Sequence, residues 1–126
     1  MYKVSIHKKF RAQHFLPHEQ GKEHTPHYHD YQIEITLSGG KLDEHGFLVD
    51  IIVIKKLFTT ILENFTEKLL NMLPDFQQKN PSLENFSRIV WEKFTRQLDA
   101  PNIQSVEVII WENDQNWASF TGDITQ

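Results

Sequence analysis

With 39% hydrophobic and 24% charged side chains, the 126 residues suit one globular domain, and none of their apolar runs approaches the roughly 18 residues of a membrane span. The 17 acidic and 13 basic side chains are interspersed, for a formal charge of -4, so there is no basic run of the kind that binds nucleic acid. Cysteine is absent, which removes disulfides, thiolate metal sites and thiol nucleophiles and leaves imidazole and carboxylate to carry any metal or acid–base chemistry.

The first nine residues hold no apolar block of signal-peptide length, and a cytoplasmic location is expected. From Val4 to His14 the even positions Val4, Ile6, Lys8, Phe10, Ala12 and His14 form one mostly apolar face, the period of a half-buried strand. After a polar loop over 18–26, a second strand places His27, His29, Tyr31, Ile33, Ile35 and Leu37 on one face, and Ser38-Gly39-Gly40 marks its end. Asp50 is a helix N-cap, and Ile51, Ile54, Phe58, Ile61, Phe65 and Leu69 recur at spacings of three and four, which predicts one amphipathic helix. Asn80-Pro81-Ser82 opens a second helix with a stripe of Leu83, Phe86, Ile89 or Val90, and Phe94, ended by Asp99-Ala100-Pro101. Strands over Ser105–Glu112 and Trp117–Thr121 follow, joined by a turn-rich segment.

The order strand, strand, helix, helix, strand, strand predicts an α+β domain over 1–126, an antiparallel sheet with both helices on one face. Ile109 and Trp111 then point away from the helices, and a four-stranded sheet keeps two open edges. Self-association through those edges would cover both.

Five of the seven histidines fall between His14 and His29. His27 and His29 share a strand face, and His14 ends a strand expected to pair antiparallel with theirs, so three imidazoles can converge on one ion. Three histidines without a fourth protein ligand are the pattern of catalytic zinc, and a metal would satisfy imidazoles that are otherwise costly to turn inward. His7, His18 and His45 read as surface residues. Glu112 breaks the apolar face of Val106, Val108 and Ile110, and is either a strand-end carboxylate reaching solvent or an anchor for a ligand at the rim of the sheet.

Taken together, His14, His27-Tyr28-His29, Gly46-Phe47-Leu48-Val49-Asp50, Asn80-Pro81-Ser82-Leu83-Glu84-Asn85 and Trp111-Glu112-Asn113-Asp114 resemble the 6-pyruvoyl-tetrahydropterin and 6-carboxytetrahydropterin synthase family over nearly the whole chain. The resemblance implies the tunnelling fold, in which ββααββ subunits join their sheets into barrels, as trimers paired into hexamers with active sites between subunits. It gives His14, His27 and His29 the role of zinc ligands and Glu112 that of pterin anchor, through paired hydrogen bonds to the ring amide and amino group. Zinc would polarise the hydroxyls of the pterin side chain.

Two departures matter. Glu23 stands where family synthases carry a catalytic cysteine, four residues before the first histidine of the pair, and Thr66-Glu67 replaces their Asp-His pair. A family branch with Glu in that position, often followed by Pro as in Glu23-x-x-Pro26, forms 6-hydroxymethyl-dihydropterin. The resemblance thus implies a zinc-dependent lyase acting on 7,8-dihydroneopterin or its triphosphate, with Glu23 as base and Glu67 assisting. A protein that binds zinc and pterin without catalysis, and a zinc-stabilised structural oligomer, are the alternatives.

Overall fold

The computed structural model describes residues 1–17 and 21–124, apart from the side chains of Lys22 and Glu23. Its elements follow the expected order: β1 (Tyr2–His14), β2 (His27–Gly39), α1 (Ile51–Glu63), α2 (Leu83–Gln97), β3 (Ser105–Trp111) and β4 (Trp117–Asp123). The strands form one antiparallel sheet in the order β1-β2-β3-β4, the tunnelling-fold subunit. None of the described helices is long and apolar enough to cross a membrane.

Strict alternation builds the core. Ile6, Phe10 and Ala12 of β1, Tyr31 to Leu37 at every second position of β2, and Val106, Val108 and Ile110 of β3 all face the helices and are buried. Against them α1 presses Ile54, Phe58, Ile61 and Leu62, while α2 presses Phe86, Ile89, Val90 and Phe94. Asp50 caps α1 by accepting the Ile52 and Val53 N–H groups, and Ser82 caps α2 by accepting that of Asn85. Trp91 reaches from α2 over the far edge of the sheet, donating from Nε1 to the Val106 carbonyl at 2.8 Å and packing on Phe120.

The apolar stripe of α1 does not continue as helix to Leu69. The helix stops at Glu63, and the chain turns through Glu67, whose φ of 61° is left-handed. Edge strand β1 is the competitor: the Glu67 N–H donates to the Arg11 carbonyl, and the Gln13 N–H donates to the Lys68 carbonyl. Satisfying these edge groups takes precedence over two more helical turns, and Phe65 is buried from the turn instead. The end of β1, which carries His14, is thereby fixed.

Candidate metal centre

Register brings the histidines together. His14 lies directly opposite His27, and His29 lies opposite Ala12, whose methyl group leaves room for the imidazole beside it. The three rings approach pairwise with centroids 4.7–4.8 Å apart and planes 76–78° from one another, like the blades of a propeller. Their ligand nitrogens all lie within 4.8 Å of one another, and the three Nε2 atoms are shielded from solvent.

Groups behind the rings fix their orientation. His14 Nδ1 lies 3.2 Å from the Pro81 carbonyl and 3.0 Å from the Tyr31 hydroxyl, and His27 Nδ1 lies 2.8 Å from the Thr25 carbonyl. A carbonyl only accepts, so both histidines carry their proton on Nδ1 and direct the Nε2 lone pair to the centre. Pro81 reaches His14 because Phe86, one turn into α2, packs edge-on against Phe10 and Tyr31. Asn71 clamps the residue after His14, accepting the Phe15 N–H through Oδ1 and donating through Nδ2 to the Phe15 carbonyl, each at 2.9 Å.

The electrostatics suit a cation. Burial, then the His29 and His27 rings, outweigh Glu112 and Pro81 and hold the His14 pKa below its ordinary value, so the imidazole is neutral and able to ligate. Glu112 sits just past β3, its N–H donating to the Asn116 carbonyl at 3.1 Å, and its Oε1 reaches within 3.0 Å of His29 Nε2 and 4.0 Å of His14 Nε2. The His29 ring holds the Glu112 carboxyl below the usual range in spite of burial, so the carboxylate stays ionised. Three imidazoles converging on one centre, two of them oriented from behind by backbone carbonyls, fit a zinc ion.

Of the residues singled out in the sequence, the structure gathers His14, His27, His29 and Glu112. Glu23 belongs to a short 3-10 turn over Gly21–His24, and its side chain lies outside the described residues, as does His18 entirely. Glu67 is exposed on the turn beside β1. Sequence reasoning missed Pro81 and Thr25, which act through their backbone carbonyls, and Asn71, whose side-chain amide meets the backbone of Phe15. Tyr31 was open to discovery, being the next residue on the face that begins with His27 and His29.

The model of the family described as 6-pyruvoyl tetrahydropterin synthase matches residues 3–123. The 6-carboxy-5,6,7,8-tetrahydropterin synthase of Bacillus subtilis is 36% identical over 93 residues, which are 70% of this chain and 62% of that protein's length. In structure the chain is similar to Caenorhabditis elegans 6-pyruvoyl tetrahydropterin synthase, with a TM-score of 0.84, 21% identity, and coverage of 96% of this chain and 95% of that one. It is similar also to a Plasmodium vivax 6-pyruvoyltetrahydropterin synthase in which a catalytic glutamate is replaced by alanine, with a TM-score of 0.81, 15% identity and 98% coverage of both chains. With the family model matched across both helices and all four strands, the chain belongs to the 6-pyruvoyl tetrahydropterin synthase family.

Proposed function

We propose that residues 1–126 form a single pterin synthase-like domain that works as a zinc-dependent lyase on 7,8-dihydroneopterin or its triphosphate, in a cytoplasmic homotrimer or homohexamer. The convergence of His14, His27 and His29 beside Glu112 carries this reading. The Bacillus relative, a synthase of a carboxylated tetrahydropterin, supports a pterin as the substrate class. Bound by the three histidines, zinc would supply the Lewis acidity that makes side-chain protons easier to remove.

Glu112 holds the ring by accepting hydrogen bonds from the pterin amide and amino groups, and its ionised state suits that task. Glu23 is the base, assisted by Glu67. The Plasmodium vivax protein, of the same fold, also uses a glutamate as a catalytic residue. Glu23 takes the proton from the second hydroxyl of the side chain, and the carbon–carbon bond between the first and second side-chain carbons breaks. The second carbon becomes an aldehyde, and the electron pair left on the first carbon takes up a proton. The products are 6-hydroxymethyl-dihydropterin and a two-carbon hydroxyaldehyde, which keeps any phosphate.

Incubation of the purified protein with dihydroneopterin and with its triphosphate, followed by mass identification of the products, tests the reading. Replacing Glu23 with Gln should lower turnover by about 10²–10⁴-fold, the ordinary contribution of a general base. Full turnover in that variant would remove Glu23 from the role, and tight pterin binding without any product would favour the non-catalytic pterin-binding alternative.

A further inference from the structure

The Glu112 carboxylate reaches two of the three histidines. Its Oε1 lies 3.0 Å from His29 Nε2 and 4.0 Å from His14 Nε2, and the ligand nitrogens lie within 4.8 Å of one another. Adjacent donors around a tetrahedral zinc with bonds of ~2.0–2.1 Å are about 3.3 Å apart. The two carboxylate distances, 3.0 and 4.0 Å, bracket that separation, so a small rotation of the Glu112 side chain brings its oxygen to the place of a fourth donor. We propose that Glu112 is a metal ligand in the pterin-free protein and leaves that position to bind the pterin ring, so that one carboxylate alternates between the two. This inference rests on His14, His27 and His29 being the metal ligands.

Charge gives the first physical reason. Three neutral imidazoles leave a divalent ion with its full charge in a site whose nitrogens are shielded from solvent, where an uncompensated charge is costly. A carboxylate oxygen bound as fourth donor brings one negative charge and halves that charge with no help from solvent. Mobility gives the second. The main chain of the 112–116 turn is held by the Glu112 N–H to Asn116 carbonyl bond and by Asn113 Oδ1, which accepts the Gln115 and Asn116 N–H groups at 2.8 and 2.9 Å. The side chain of Glu112 is 21% exposed, so an arriving ring can reach the carboxylate, and rotation about its own bonds moves it without unravelling the hairpin.

Cobalt(II) loaded into the full chain reports ligand number and type in its visible spectrum, and competition with a chelator measures zinc affinity. Replacing Glu112 with Gln should weaken zinc binding by about 10–100-fold, the scale on which groups around a metal act, and should change the cobalt spectrum of the pterin-free protein. A second test needs no variant: a pterin with no side chain offers no hydroxyl to the metal, yet by drawing Glu112 away it should shift the wild-type cobalt bands. Zinc affinity within twofold of wild type together with an unchanged cobalt spectrum in the variant would overturn the proposal, as would saturation of the wild type by that pterin without a band shift. Failure of the wild type to hold either metal would instead refute the metal centre itself.

Discussion

His14 Nδ1 faces two oxygens, the Pro81 carbonyl at 3.2 Å and the Tyr31 hydroxyl at 3.0 Å, and the carbonyl determines which nitrogen carries the proton. Tyr31 is buried, stacked on Phe10 and edge-on to Phe86, so its hydroxyl is held in place by packing. Tyr31→Phe keeps the ring and removes only that oxygen. Zinc affinity measured by chelator competition should fall about tenfold, while the stability measured by urea denaturation should change by about 1 kcal/mol or less. Unchanged affinity would show that Pro81 alone orients the ring. The trio and Glu112 could be read in the sequence because strand period two places residues on faces, and each of the four stood out on an apolar face. Pro81 and Asn71 could not, because their contacts join segments 67 and 56 residues apart, and Thr25 could not, because it acts through a backbone carbonyl that its side chain does not signal.

Strands and the starts of helices were legible for the same local reasons: alternation for β1 to β4, and the Asp50 and Ser82 caps for α1 and α2. The end of α1 was not. Its stripe runs on through Phe65 and Leu69, but the turn at Glu67 pairs with the edge of β1, a contact between segments far apart in sequence. At the opposite edge, Gly122 allows Trp91 to lie against β4, since a Cβ there would come within 2.4 Å of the Trp91 ring. Gly122→Ala should displace the indole, strain its hydrogen bond to the Val106 carbonyl, and destabilise the fold by about 1–3 kcal/mol in urea denaturation. A variant as stable as wild type would mean that Trp91 has another position at no cost.

As a whole, the chain buries one sheet face beneath its helices and leaves the other with half-buried Ile109 and Trp111 and with Trp117 57% exposed. β1 and β4 are the outer strands. Closure of several sheets into a barrel would pair those edges and cover the apolar side chains together. Light scattering at micromolar concentration should therefore give three or six times the chain mass of 14.9 kDa, and a single-chain mass would contradict both the barrel and an active site shared between subunits. The central claim, that the three histidines hold a zinc ion on which pterin chemistry depends, is tested most directly by following dihydroneopterin turnover in protein stripped by a chelator and then titrated with zinc. Product formation should be absent from the stripped protein and rise to a plateau at one zinc per chain; turnover that persists at full rate without metal would contradict the account.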